Sequence, residues 1–311
     1  MSNIATREAY GKALLEVGEL NQNVVVLDAD LSKSTKTADF KAKYPERFFN
    51  MGIAEQNLMG AAAGLSTVGK IPFASTFAVF ATGRAFEIIR NSIAYPKLNV
   101  KVCATHAGIT VGEDGASHQS IEDISLMRTL PNMTVIVPAD GIEARQAILE
   151  VAKYNGPVYV RLGRLATPII NDEDYKFEIG KAKTLKDGSD VSIIACGVMV
   201  EKALEASRIL EEQGITAKVI NMSTIKPLDK NAIVEAAKDT NAIVTAEEHS
   251  VIGGLFSAVS ETVVANNLVP VVPVAINDTF GESGKPKELM EKYGLTADKI
   301  VEACKTAISK K

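Results

Sequence analysis

The segment Thr105-His106-Ala107-Gly108-Ile109-Thr110-Val111-Gly112-Glu113-Asp114-Gly115-Ala116-Ser117-His118-Gln119 holds two of the three histidines in a chain of 311 residues. It also holds three glycines and an adjacent Glu-Asp pair. An apolar run at 100–104 precedes it, and a helical pattern follows from about residue 120. This order of segments along the chain predicts a strand, then a glycine-rich loop and then a helix. Because ligands of open parallel α/β sheets bind at the carboxyl ends of strands, this loop is a candidate site.

The composition is that of a globular protein, with 46% hydrophobic residues, 23% charged residues and a net charge of −4. The acidic balance argues against a nucleic-acid partner. The apolar runs are shorter than a membrane span requires, and the first residues lack the pattern of a secretory signal. The three cysteines are widely spaced and match no metal-ligand pattern, which predicts a reducing compartment, the cytoplasm.

Short β-branched runs alternate with helical patterns along the whole chain. The predicted strands are 24–27, 100–104, 134–137, 158–162, 191–195, 216–220, 242–246 and 270–276. The predicted helices are 4–20, 54–67, 79–95, 120–130, 141–153, 200–213, 229–238, 253–265 and 287–293. This alternation is typical of an α/β protein with mainly parallel sheets covered by helices. An acidic run at 171–174 and a turn-rich stretch at 186–190 predict two domains, 1–166 and 189–311, joined by a linker at 167–188.

The side chains of the 105–119 loop are suited to hydrogen bonding and proton transfer with a polar ligand. His106 and His118 can donate, accept or shuttle protons near neutral pH, and Asp114 can accept a hydrogen bond from a hydroxyl group. The alternative is a solvated turn with two incidental histidines. The spacing of these three residues matches no common metal-ligand set, so we predict no metal site on this chain.

Two further segments carry candidate residues. Glu55 begins a helix that is rich in alanine and glycine through 60–64, and these small residues allow another helix or chain to pack closely. A carboxylate in such an interface would lose solvent and its pKa would rise; alternatively, Glu55 simply favours the helix N-terminus. Phe77 and Phe80 are three residues apart, which predicts one helical face that forms either core or a wall for a flat heterocycle.

Together these segments resemble the transketolase family of thiamine-diphosphate enzymes, and specifically its C-terminal half made as a separate chain. The shared motifs are Asp28-Ala29-Asp30-Leu31, Gly52-Ile53-Ala54-Glu55, Ser75-Thr76-Phe77, Thr105-His106, Gly112-Glu113-Asp114-Gly115-Ala116-Ser117-His118-Gln119 and Leu162-Gly163-Arg164. The later region resembles the family's C-terminal domain through Glu247-Glu248-His249 and Gly253-Gly254-Leu255. The resemblance implies a thiamine-diphosphate pyrimidine-binding fold followed by a transketolase C-terminal domain.

The resemblance also implies roles for individual residues. The catalytic residues would be Glu55, His106 and His118. The cofactor would be contacted at its aminopyrimidine by Glu55, Phe77 and Phe80, and near its thiazolium by Asp30. The sugar hydroxyls and carbonyl would be contacted by His106, Asp114 and His118, and the sugar phosphate by Arg7, Ser34 and Arg164. The family often has another aromatic residue after Phe80, where this chain has Ala81-Thr82-Gly83-Arg84.

The chain lacks the Gly-Asp-Gly motif that, with a later asparagine, binds the metal and diphosphate in these enzymes. The resemblance therefore implies that Mg²⁺ or Ca²⁺ is held by a separate N-terminal subunit, in an α2β2 complex, and that this chain alone is inactive. The implied reaction transfers a two-carbon ketol unit from a ketose phosphate to an aldose phosphate in the pentose phosphate pathway.

Other assignments remain open at this point. Deoxyxylulose-phosphate synthase and the β subunits of 2-oxo-acid dehydrogenases share the two-domain architecture, and a non-catalytic regulatory homologue is a further possibility. Arg7 and Ser34 favour transketolase, because a sugar phosphate needs an anion site that a small 2-oxo acid does not. For His249 we expect a structural or inter-chain role.

Overall fold

The computed structural model describes residues 3–311; residues 1 and 2, which belong to the predicted first domain, lie outside the described part. The strands are β1 (Asn3–Ala5), β2 (Val24–Asp28), β3 (Phe48–Asn50), β4 (Ile71–Phe77), β5 (Lys101–Thr105), β6 (Thr134–Ile136), β7 (Val158–Arg161), β8 (Ala166–Pro168), β9 (Lys183–Lys186), β10 (Val191–Ala195), β11 (Ala217–Asn221), β12 (Thr224–Lys226), β13 (Ile243–Ser250) and β14 (Val271–Ile276).

The α-helices are α1 (Thr6–Leu20), α2 (Ser32–Thr35), α3 (Ala38–Lys43), α4 (Glu55–Thr67), α5 (Phe86–Ile88), α6 (Asp123–Thr129), α7 (Gly141–Val151), α8 (Met199–Glu211), α9 (Lys230–Thr240), α10 (Leu255–Asn266), α11 (Pro286–Lys292) and α12 (Ala297–Ile308). Two 3₁₀ segments, Pro45–Arg47 and Ile109–Asp114, and two π-helical segments, Phe80–Arg84 and Ile89–Ala94, complete the list. Within the described residues, no helix is both long and apolar enough to span a membrane.

The first sheet has seven strands in the order β12-β6-β7-β5-β4-β2-β3. All neighbouring pairs are parallel except β12 with β6. Its central strands are fully buried and largely apolar, as expected for a parallel sheet covered on both faces. Helices α1 and α7 pack on one face, and α4 with the segment 80–94 on the other. The carboxyl ends of β2, β4, β5 and β7 therefore meet at one edge.

The second sheet has five strands in the order β14-β13-β10-β11-β9, parallel except for β9. Helices α8 and α12 cover one face, and α9 and α10 cover the face that shares a core with the first sheet. The predicted fold class, two mainly parallel α/β units, is confirmed. The exact domain boundaries stay a prediction; β9 lies inside the predicted linker and joins the second sheet.

One predicted helix was wrong in detail. The expected helix at 79–95 is a short α-helical piece between two π-helical segments, and Phe77 ends the interior strand β4 rather than lying on a helix. That strand escaped prediction because Pro72, which lacks a donor, stands near its start and two polar residues stand near its end. Helix α12, beyond the last predicted helix, was also not predicted.

Candidate functional site

The candidate site lies at the carboxyl edge of the first sheet. Phe77 ends β4, His106 directly follows β5, and Arg164 lies three residues beyond β7. The antiparallel pair β1–β8 brings the start of α1 to the same place, because the Arg7 backbone N–H donates to the Gly163 carbonyl at 3.4 Å. Side chains from distant parts of the sequence therefore meet at one edge.

An aromatic stack forms the centre of this edge. The rings of Phe77 and His106 stack with centroids 3.8 Å apart, and Phe77 lies 5.9 Å from Phe80 at an interplanar angle of 13°. The His118 ring meets Phe80 edge-on at 5.4 Å. The two predicted cofactor-binding phenylalanines and the two predicted catalytic histidines are thus one cluster. Phe80 begins a π-helical segment, a feature that is frequent at functional sites.

His106 is held in one protonation state. Its side chain is buried, and its backbone has a φ of 57°, an uncommon conformation for a residue with a side chain. Arg7 lies 3.4 Å from Nε2 and can only donate, so Nε2 is the acceptor and Nδ1–H donates to Thr105 Oγ1 at 2.9 Å. Burial, with the positive charges of Arg7 and Arg164, lowers the pKa of His106 to about 3.

Two cations flank this histidine. Nη1 of Arg7 donates to the backbone carbonyl of Ser34 at 2.8 Å, so Ser34 contributes its carbonyl rather than its hydroxyl to this contact. Nε of Arg7 is buried without a hydrogen-bond partner among residues 3–311. Burial and the nearby charge of Arg164 lower the pKa of Arg7. The charges of Arg7 and Arg164 act on the same histidine, and two such guanidinium groups suit an anion.

Arg164 is tied to the 105–119 loop, which we call the histidine loop. Its Nη1 donates to the Val111 carbonyl and lies 3.5 Å from Asp114 Oδ2 and 3.7 Å from Glu113 Oε2. Asp114 is exposed at the end of the 3₁₀ segment, and the Ser117 hydroxyl lies 3.0 Å from Nδ1 of His118. The three predicted sugar-binding residues and the predicted phosphate-binding arginines therefore lie at the same edge of the sheet, with His106 buried beneath it.

Glu55 begins α4 with its side chain only 2% exposed. Its Oε2 accepts from Arg84 Nη1 at 3.0 Å, and the guanidinium carbon of Arg84 lies 5.0 Å above the Phe80 ring. Sequence reasoning missed Arg84 as a site residue. The available signal was its place in the segment 81–84, where the resemblance leads us to expect another aromatic residue.

Asp30 lies at the outer end of the site. It is exposed with a φ of 64°, and Asn50, which sequence reasoning also missed, accepts from its backbone N–H at 3.0 Å and donates to its carboxylate at 2.9 Å. Asp28 is instead buried and accepts bonds from the α2 region, including Thr35 at 2.6 Å. Asp30 is thus available to a ligand, whereas Asp28 is structural.

His249 makes its hydrogen bonds outside this cluster. It is fully buried, donates from Nδ1 to the Ser250 carbonyl at 2.8 Å and accepts at Nε2 from the Ser125 backbone at 3.3 Å. A Cβ built on Gly253 would lie 2.2 Å from Ser125 Oγ, so close packing requires glycine there. These contacts favour the structural role for His249, as a link between the two domains within one chain.

The fold and the site together define a two-domain α/β protein with aromatic, carboxylate, histidine and arginine groups on one sheet edge. Residues 2–169 match the family model "Transketolase, pyrimidine binding domain" and residues 180–300 match "Transketolase, C-terminal domain". The chain belongs to the transketolase family.

Individual relatives agree with this assignment. A Methanocaldococcus jannaschii protein whose name describes a transketolase C-terminal section is 56% identical over 94% of this chain and 93% of its own length. Homo sapiens transketolase is 38% identical over 99% of this chain, which spans only 49% of the human protein. A solved structure described as a split gene transketolase, inactive β4 tetramer, is 60% identical with a TM-score of 0.92 over the whole of both chains.

Proposed function

We propose that this chain is the C-terminal subunit of a thiamine-diphosphate-dependent transketolase that transfers a two-carbon ketol unit from a ketose phosphate to an aldose phosphate. The observation that carries the proposal is the cluster of Phe77, Phe80, His106 and His118 beside buried Glu55 and two arginines. We further propose pentose phosphates as substrates and the cytoplasm as location, the latter because the three cysteines are unpaired and buried.

The residues present fit the aminopyrimidine half of the cofactor. Partly exposed Phe80, backed by buried Phe77, offers aromatic surface to a flat heterocycle, and Glu55 offers a carboxyl oxygen through Arg84 beside the same ring. Asp30 suits the thiazolium because it is exposed at the neighbouring strand end. When bound, thiamine diphosphate supplies the electron sink for the carbon–carbon bond chemistry. Glu55 would hold a hydrogen bond to the ring, for which Arg84 must give way or turn.

The sugar would bind between the histidine loop and the arginines. His106 is neutral at pH 7, so its Nε2 can accept a hydrogen bond once Arg7 turns to the phosphate. Asp114 and His118 would bond the hydroxyl groups. The phosphate would replace the contacts that Arg164 now makes to the loop carboxylates, since a guanidinium fork suits phosphate.

The diphosphate and metal would be held by another chain. Within residues 3–311, no group of three His, Cys, Asp or Glu side chains could hold a metal ion. We propose that a separate N-terminal subunit supplies the Mg²⁺ or Ca²⁺ ligands in an α2β2 complex. Two findings support this proposal: the chain matches a relative named as a transketolase C-terminal section over 93% of that relative's length, and the 60% identical solved structure is described as an inactive β4 tetramer of a split gene transketolase.

Helix α4 is the proposed contact surface for this assembly. Its exposed face carries Gly60 and Gly64, and within residues 3–311 a Cβ built on either would meet nothing within 4 Å beyond the adjoining residues and the backbone of the helix itself. Ile53, just before the helix, is 80% exposed. Such a face lets another chain approach the backbone closely and would cover Glu55 further.

The test is a donor comparison in the complex reconstituted with an N-terminal subunit that carries Gly-Asp-Gly. We expect transfer from xylulose 5-phosphate and none from pyruvate; turnover of pyruvate would instead favour a synthase or 2-oxo-acid dehydrogenase subunit. Glu55→Ala should abolish transfer while the complex still forms. Unchanged turnover in that variant would support a non-catalytic homologue.

A further inference from the structure

The second domain contributes a carboxylate to the histidine loop that the proposed function does not use. Every proposed site residue lies before residue 165, yet Glu247, Glu248 and His249 at the end of β13 are 0%, 3% and 0% exposed. Buried charged groups at a domain junction need specific partners. The partners of Glu248 include the backbone of the histidine loop.

Glu248 reaches into that loop directly. Its Oε1 accepts from the Thr110 backbone N–H at 2.7 Å, midway between His106 and Asp114. A Cβ built on Gly108 would lie 2.2 Å from the carboxyl carbon of Glu248, and Gly108 has a φ of +80°. The loop therefore follows a path around this carboxyl group that a side chain at 108 would block.

Buried Arg161 holds Glu248 in place. Its Nη2 donates to the Glu248 carbonyl at 2.9 Å, its Nη1 lies 3.9 Å from Oε2, and its Nε donates to Asp123 at 2.7 Å. Burial raises the pKa of Glu248, and the charge of Arg161 and the bond from Thr110 oppose the rise. The Glu248 carboxyl group is thus held between the Arg161 guanidinium group and the backbone N–H of Thr110 in the loop.

The far end of the loop has a second attachment to the same domain. Nε2 of Gln119 donates to the carbonyls of Ile109 and Gly112 at 3.2 Å each, and to the carbonyl of Glu282 at 2.9 Å. Residues 108–119 are therefore attached to the second domain at both ends, and movement of that domain would move the loop.

We propose that Glu248 is a positioning residue for the sugar site: from the second domain, it sets where the loop places His106 and Asp114 relative to Arg7 and Arg164. The expected effect of Glu248 on sugar binding rests on the proposed function. Its effect on the position of the loop does not, since that effect concerns contacts within this chain.

Glu247 provides a matched control for the test. It is the adjacent buried carboxylate, but it accepts from the Leu255 and Phe256 backbones at 2.7 and 2.8 Å, at the start of α10. In the reconstituted complex, Glu248→Ala should raise KM for the ketose phosphate about tenfold to a hundredfold, because a small misplacement of binding groups has effects of this size. Glu247→Ala should leave this KM within about twofold of wild type, a difference of less than 0.5 kcal/mol.

Two further variants keep the test sharp if Glu248→Ala folds poorly. Glu248→Gln retains an oxygen that can accept from Thr110 and should recover most of the wild-type KM. Gly108→Ala leaves the buried charges paired but displaces the loop, and should raise KM. Equal KM values in Glu248→Ala and Glu247→Ala, or a wild-type KM in Gly108→Ala, would overturn the proposal.

Histidine NMR on the isolated chain separates this proposal from the proposed function. The chain has three histidines, so their ring signals can be assigned by substitution. Glu248→Ala should shift the His106 and His118 signals, whereas Glu247→Ala should shift mainly His249. A wild-type complex without sugar transfer would refute the proposed function alone, and unmoved loop signals in Glu248→Ala would refute the positioning role alone.

Discussion

At the scale of single residues, His106 shows how burial and neighbouring charge set a protonation state. Burial, Arg7 and Arg164 lower its pKa from 6.5 to about 3. Between these values the unfolded chain binds a proton that the folded chain does not, so acid favours unfolding. The stability that this lowered pKa contributes is fully present above pH 6.5 and is lost as the pH falls towards 3.

The expected result is a free energy of unfolding that falls as the pH decreases through this window, with part of the slope removed in His106→Gln. His118→Gln is the control, since His118 lies on the same loop but is half-exposed. Urea unfolding of the isolated chain at several pH values measures both slopes. A slope in His106→Gln equal to that of the wild type would contradict the assignment of a depressed pKa.

Arg164 allows a second prediction at this scale. In the complex, Arg164→Ala should raise KM for a phosphorylated ketose about tenfold or more, because a charge-assisted hydrogen bond contributes about 1.5–3 kcal/mol. An unphosphorylated ketose should be affected much less. Arg145→Ala, which removes an arginine that pairs with Glu16 on the surface, is the control. An equal effect on both sugars would exclude the phosphate contact.

At the scale of structural elements, the histidine loop depends on a glycine that packs against another domain. Gly108→Ala introduces both an unfavourable φ and a clash with Glu248, whereas Gly214→Ala introduces only the unfavourable φ, since Gly214 has a φ of +76° and open space around it. The left-handed conformation costs about 1–2 kcal/mol for a non-glycine residue. Gly108→Ala should therefore lower the free energy of unfolding clearly more than Gly214→Ala does, as measured in urea. Equal decreases in the two variants would mean that the loop can move away from Glu248 without a free-energy cost.

The elements also show what sequence could and could not predict. Continuous β-branched runs such as Val24–Asp28 and Val191–Ala195 predict buried parallel strands. The motifs at the ends of such strands locate the edge of the sheet where the candidate site lies. Strand β4 was not predicted because Pro72 weakens its strand pattern. The segment after Phe80 was predicted as a regular helix, but its π-helical turns do not follow the 3.6-residue period. Contacts across the fold escape pattern reasoning entirely: Arg84 with Glu55 and Thr110 with Glu248 depend on packing between elements, the latter pair 138 residues apart in sequence.

At the scale of the whole molecule, the exposed face of α4 predicts opposite effects on folding and assembly. Gly60→Leu should stabilise the isolated chain slightly, because leucine favours a helix over glycine by about 0.5–1 kcal/mol and the space beside Gly60 is open. The same side chain should prevent close approach of a second chain and weaken the complex. Ala265→Leu, on the exposed face of α10, is the control. Thermal unfolding and size-exclusion chromatography measure the two effects, and assembly of Gly60→Leu at wild-type affinity would exclude α4 from the interface.

We propose that this chain holds half of a transketolase site and needs a second chain for the other half. The most direct measurement is titration of the purified chain with an N-terminal subunit that carries Gly-Asp-Gly, in the presence of thiamine diphosphate and Mg²⁺, with ketol transfer from xylulose 5-phosphate to ribose 5-phosphate as the readout. The predicted result is no transfer by either chain alone and a rise that saturates at equal amounts of the two. Full transfer by this chain alone would contradict the claim.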